Sequence, residues 1–154
     1  MKILKVICVA ILSLFISSAV FSAETKRTAN VISFTGQPSL KSAGQNDWTS
    51  VAKGMVINEG DTLKTGKDAS ARVNVDSKGE AAIVDVSPGS NLTFTQLLKN
   101  TENGTEKTML DLALGEVLIK AEKLRGDSKF EVKTPTSVAG VRGTKFSVKV
   151  EAIE

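Results

Sequence analysis

Residues 134–144 read TPTSVAGVRGT, and within them Arg142 stands between two glycines, Gly140 and Gly143. Glycine takes backbone angles closed to other residues, so the chain can turn tightly on both sides of this arginine. The guanidinium then offers five donors in a fixed fork to carbonyls or a carboxylate that the turn leaves unpaired. Its ordinary role would be to staple the last strand to its sheet; the sharper one is to hold an anion of a ligand or partner. Asp61, after Gly60, has a similar pair of readings, because aspartate commonly bonds its own backbone two residues on and stabilises a turn. Trp48 is the single tryptophan. Exposed, it could stack on a sugar ring or anchor a protein; the more ordinary expectation is core packing against Val51 and Val56. The stretch DSKGE at 76–80 places two acids near a glycine, as a calcium loop does, but Lys78 sits among the would-be ligands and the ordered run of oxygens is missing. Neither a metal nor a cofactor is expected. Paired carboxylates can cleave glycosides without histidine, yet no pair is singled out, and the chain is read as not an enzyme.

The strongest exclusions come from what is missing. The chain has no His and no Tyr, and its one cysteine, Cys8, lies inside an apolar N-terminal run. Beyond that run, disulfides, thiolate or imidazole metal sites, cysteine proteases and Ser-His-Asp hydrolases are all ruled out.

That N-terminal run has the layout of an export signal. Lys2 and Lys5 precede an apolar stretch from Val6 to Ile16, followed by Ser17, Ser18 and Ala19. Residues 1–23 are therefore read as a secretory signal peptide, and 24–154 as one exported, periplasmic or envelope domain. Cleavage after Ala19 has small residues at both recognition positions, whereas cleavage after Ala23 puts Phe21 at one of them, so the site lies between 19 and 23. The competing reading is an uncleaved anchor, which would place the domain on a membrane. Cys8 is inside the apolar run and not after it, which excludes a lipoprotein. The run carries two lysines and no acid, so its removal leaves 18 basic against 17 acidic residues. Such a near-neutral domain has no electrostatic footprint for nucleic acid.

Apolar residues then recur at every second position, the period of half-buried strands. The clearest runs are 69–75 (ASARVNV), 91–95 (NLTFT), 109–114 (MLDLAL), 130–133 (FEVK) and 145–150 (KFSVKV). Turn signals divide them: Gly36-Gln37-Pro38, Asn58-Glu59-Gly60-Asp61, Thr65-Gly66, Ser87-Pro88-Gly89 and Glu102-Asn103-Gly104. Asn103-Gly104 suits a tight hairpin, since both residues tolerate positive φ. The run 115–124 (GEVLIKAEKL) could line a helical face, but Val117 and Ile119 alternate, and it is assigned to a strand. Residues 39–47 (SLKSAGQND) read as a polar loop. The pattern predicts a single all-β domain, a β-sandwich or short β-roll.

Taken together, the glycines and strand starts resemble the FecR family of bacterial envelope domains. Gly60-Asp61-Thr62-Leu63-Lys64-Thr65-Gly66 is similar to its GDxLxTG signature. Thr134-Pro135 with Val141-Arg142-Gly143-Thr144 and Phe146 is similar to its closing TP…VRGTxF motif. Gly36, Trp48, Val51, Gly54, Ala71, Val73, Gly79, Pro88, Ser90, Leu92 and Gly115-Glu116-Val117 fall in order between and before them. The resemblance implies an exported all-β domain that senses or transmits a signal in the envelope. The family's named member relays occupancy of an outer-membrane iron-chelate receptor to a cytoplasmic sigma factor. This chain departs from it, with no segment ahead of the apolar run and no second domain after residue 150, so a stand-alone module is expected.

The function expected is therefore non-catalytic: a binding or signal-sensing module that recognises a protein or a cell-wall polymer. The motif residues Gly60, Asp61, Thr65, Gly66, Thr134, Pro135, Arg142, Gly143 and Thr144, with Trp48, are its candidate contacts. Structural or self-associating roles stand as the alternative, with a homodimer formed through the C-terminal edge. Lys145, Lys149 and Glu151 near that edge equally suit protection of an edge strand from aggregation.

Overall fold

A computed structural model describes residues 23–75, 82–121, 124, 126–141 and 144–152. The signal-peptide reading of residues 1–22, the DSKGE stretch, Arg142 and Gly143 lie outside the described residues.

Thirteen strands form in chain order: β1 (Glu24–Lys26), β2 (Ala29–Thr35), β3 (Ser39–Lys41), β4 (Thr49–Ser50), β5 (Val56–Ile57), β6 (Thr62–Lys64), β7 (Ser70–Asn74), β8 (Ile83–Val86), β9 (Asn91–Asn100), β10 (Glu106–Ala121), β11 (Lys129–Lys133), β12 (Val138–Val141) and β13 (Thr144–Val150). They make one curled sheet, antiparallel except where β11 runs parallel to β10. One half, sheet A, orders β4-β3-β6-β9-β10-β11-β12, with β1 also on β9. The other half, sheet B, orders β5-β2-β7-β8-β10-β13. The domain is thus the expected all-β fold, and the roll is the form it takes.

The sheet curls because four ribbons bend from one half into the other at the same level. The bends are residues 36–38, 65–69, 87–90 and 113–116, three of them at turn signals readable in the sequence. Strand β10 spans the bend whole. Its inward residues are Thr108, Leu110 and Leu112 before it, then Val117 and Ile119 after it. The parity changes at a register irregularity between Leu112 and Leu114, where one extra residue returns the apolar side chains to the same core. A second irregularity does this for β9, whose Leu92 and Phe94 are followed inward by Leu97. The inner faces meet in one cluster that includes Leu63, Phe94, Leu110 and Val132 from sheet A with Val31, Val73, Val84 and Ile119 from sheet B.

The polar stretch 39–47 is a loop only in part. Its first three residues pair with β6, because Leu40 is apolar and buries itself among the core residues while Ser39 and Lys41 face out. Residues 115–121 are strand, as the alternation implies. The Asn103-Gly104 pair lies in the β9–β10 connection. There the Asn100 side chain accepts from the N–H groups of Glu102 and Asn103, and Gly104 has φ of 70°.

On the outer face of sheet B, Arg72 and Asp85 oppose each other across β7 and β8. Asp85 accepts from Arg72 Nε and Nη2 and from Lys120 Nζ. The Arg72 hydrogen bond holds the Asp85 carboxyl below its usual value, against partial burial, and Lys120 assists. A carboxylate depressed in this way stabilises the fold fully above its unfolded pKa of about 3.9, and the contribution is lost as pH falls through the folded value. Asp85→Asn should therefore flatten the acid limb of the urea midpoint plotted against pH, with only a small cost at neutral pH because the network is largely solvated. An acid limb unchanged by the substitution would mean that this network does not contribute to acid stability.

Candidate functional site

Of the motif residues, Asp61, Thr65 and Thr134 are buried and hydrogen-bonded within the fold. Asp61, 2% exposed, uses one carboxylate oxygen to accept from Ala43 N at 2.9 Å and the other from Asn58 N at 2.8 Å. It thereby pins the β3–β4 connection to the β5–β6 turn, while Gly60 N donates to Phe94 O. At the other end of β6, the buried Thr65 donates from Oγ1 to Ser87 O at 2.7 Å and accepts from Ser90 N at 2.9 Å. Gly89 N donates to Gly66 O, and Ser90 Oγ accepts from Glu116 N at 3.0 Å. These bonds stitch three neighbouring bends into one seam, which leaves little polar capacity for a ligand. Thr134 closes the β11–β12 turn, with Oγ1 accepting from Ser137 N at 3.1 Å; Pro135, next in that turn, is exposed. Thr144 opens β13 opposite Ala121. The described candidates thus fall in separate places, except that Gly66 and Trp48 line one shallow groove.

Strands β12 and β13 flank Arg142 and Gly143 and pair into different halves of the sheet, β12 with β11 and β13 with β10. Among the described residues β13 pairs only with β10, with Lys145 and Lys149 on its solvent side and Phe146, Val148 and Val150 against the core.

Trp48 overturns the expectation of core packing. Val51 is buried, but Trp48 is 43% exposed and Val56 is 52% exposed. The tryptophan precedes β4, a two-residue edge strand exposed at both positions, so it is carried on the rim of sheet A and not folded inward. Two lysines flank its ring, Lys41 Nζ 5.4 Å and Lys64 Nζ 5.7 Å from the centroid. Their placement follows from two short matching runs, SLK in β3 and TLK in β6. Leucine in the middle points into the core, and with a period of two the lysine on its C-terminal side points out. No ion pair to either lysine occurs among the described residues. A shallow groove beside the ring is lined by Gln37, Ser39, Trp48, Lys64 and Gly66. Cations over an exposed aromatic face are worth about 0.5–1 kcal/mol each. They place two ammonium groups over the ring.

Neither lysine is buried, and no carboxylate lines the groove. No group of three or more His, Cys, Asp or Glu side chains gathers within metal-binding reach among the described residues. Sequence reasoning singled out Trp48 and missed Lys41 and Lys64; the signal that could have found them is the repeated polar-Leu-Lys alternation at 39–41 and 62–64. Among the described residues, no helix is long and apolar enough to cross a membrane.

A family model described as FecR protein matches residues 61–153. Neither a curated protein nor a solved structure matches the chain.

Proposed function

The chain belongs to the FecR family, whose domains are signalling modules of the envelope, and on that premise we propose that this one is an exported, non-catalytic sensor that works by binding an envelope component on the outer face of sheet A around Trp48. The observation that carries this reading is the exposed tryptophan beside two lysines that have no ion pair among the described residues. A large aromatic side chain on the surface loses the stabilisation that burial would bring, and aromatic residues so placed are typical anchors for a partner. The seam residues serve the reading indirectly: by fixing the bends they keep β3 and β6 in register, and that register sets the spacing of the two lysines.

Trp48 also supplies the test. The purified domain is sedimented with an isolated envelope fraction, beside a Trp48→Ala variant. Because the side chain is substantially exposed, the variant should stay folded, losing little more than the roughly 1–2 kcal/mol of the two cation–π contacts. Retention of the wild type with loss of the variant, by at least tenfold in the bound fraction, is the expected result. Equal retention of the two proteins would remove Trp48 and its groove from the reading.

A further inference from the structure

Beside Trp48 the strands of sheet A present a continuous polar row on their outer face. Register places Lys41 opposite Thr62, Thr62 opposite Thr93, Thr93 opposite Asp111, and Asp111 opposite Lys133. Five strands thus contribute one rung each, at the interstrand spacing of about 4.8 Å. The hydroxyls of Thr62 and Thr93 lie 3.0 Å apart, and Asp111 and Lys133 offset each other at 3.9 Å. The unbalanced charge of the row is therefore at the tryptophan end, on Lys41 and on Lys64 one rung away.

We propose that this row binds a carboxylate-bearing polysaccharide, one sugar ring stacked on Trp48 with its carboxylate between Lys41 and Lys64, and the following rings laid across the threonine hydroxyls. This inference rests on the binding role given above for the same face. Three features favour this occupant over a protein. The groove around Trp48 is lined by amide, hydroxyl, ammonium and glycine, without the apolar neighbours that the dry centre of a protein interface requires. The C–H face of a pyranose stacks on an indole while its rim hydroxyls need the donors and acceptors that Thr62, Thr93 and Gln37 supply. The two lysines match an acidic ring in charge, and no carboxylate of the described residues pairs with them. Rungs set close to the length of one hexose suit a chain of such rings.

The test uses a galacturonate oligomer, a neutral galactose oligomer and polyglutamate as probes, with calorimetry for affinity and Trp48 emission for location. Since Trp48 is the only tryptophan, any saturable change in emission reports its surroundings. The galacturonate oligomer should bind and shift that emission. Its affinity should fall at least tenfold in Trp48→Ala and in the double variant Lys41→Gln/Lys64→Gln, and should weaken as salt rises, since screening acts over about 10 Å at 0.1 M. The neutral oligomer and polyglutamate should bind at least tenfold more weakly. Polyglutamate binding as tightly as the sugar would overturn the ligand class and reduce the site to charge alone. Galacturonate binding untouched by both variants, or no binding at all, would also overturn it; Trp48-dependent retention on the envelope would then show whether the site itself survives.

Discussion

Replacing Gly115 by alanine is expected to destabilise the domain by about 2–6 kcal/mol, the sum of a strained backbone angle and an overpacked contact. Gly115 sits in the bend of β10 with φ of 95°, a conformation that residues with a Cβ rarely adopt. A Cβ there would also collide with Cα, Cβ and Oγ of Ser90. That collision has no easy relief, because Ser90 is buried and its hydroxyl accepts from Glu116 N while its backbone N–H donates to Thr65. Moving Ser90 would open the seam on both sides. Natural domains are stable by only about 5–15 kcal/mol, so the variant should show a greatly lowered urea midpoint or fail to fold. Gly104→Ala separates the two causes. Gly104 also has positive φ, at 70°, but nothing lies within 4 Å of its Cβ position; its cost should be about 1 kcal/mol, that of the backbone angle alone. Equal midpoint shifts for the two variants would show that the Ser90 contact is not what reserves position 115 for glycine.

Arg27→Met is expected to cost about 3–5 kcal/mol, the range for removing one partner of a buried ion pair. The Arg27 side chain is 8% exposed and spans the ends of the ribbons remote from the seam. It donates to Leu98 O at 3.1 Å, Val75 O at 3.2 Å and Thr108 Oγ1 at 2.6 Å, and pairs with Glu106 at 3.2 Å. One fork thus ties β9 and β10 of sheet A to the end of β7 in sheet B, on the side where no bend joins the halves. Methionine fills similar space but leaves the carbonyls of Val75 and Leu98 without this donor, and Glu106 with Lys99 alone. With a urea slope of about 1–3 kcal/mol per molar, the midpoint should fall by roughly 1–5 M. Lysine should restore little, since a single ammonium cannot reach acceptors arranged for a planar fork. A midpoint within about 0.3 M of wild type for Arg27→Met would mean that the clamp contributes little.

The strands at 69–75, 91–95, 109–114, 130–133 and 145–150 were legible because each alternates and each is bounded by turn residues. Three of the four bends were legible for the same local reason. The bend within β10 was not, since an alternating run that changes parity reads as one strand with an untidy middle. Asp61 was read as bonding the backbone two residues on, whereas its carboxylate accepts from Asn58 N, three residues back, and from Ala43 N in the β3–β4 connection. Trp48 was misread because its sequence neighbour Val51 is inward, whereas the tryptophan belongs to a rim position set by the β3–β4 pairing. The role of stapling the sheets was sought at Arg142, from its flanking glycines. Arg27 performs such a role among the described residues, and nothing around it in the sequence says so.

The sequence by itself determined the all-β class, the alternation that puts Leu40 and Leu63 inside with Lys41 and Lys64 outside, and the absence of thiol and imidazole chemistry from residues 24–154. These follow from composition and from periods of two residues, both of which act between chain neighbours. Only the tertiary structure decided that Arg27 meets carbonyls 48 and 71 residues away, that Ser90 occupies the space a side chain at 115 would need, and that Trp48 lies between two lysines from different strands. Those outcomes depend on register between distant strands, which a single residue of slippage would change, and register is set by the burial of the whole core together and not by any segment of it.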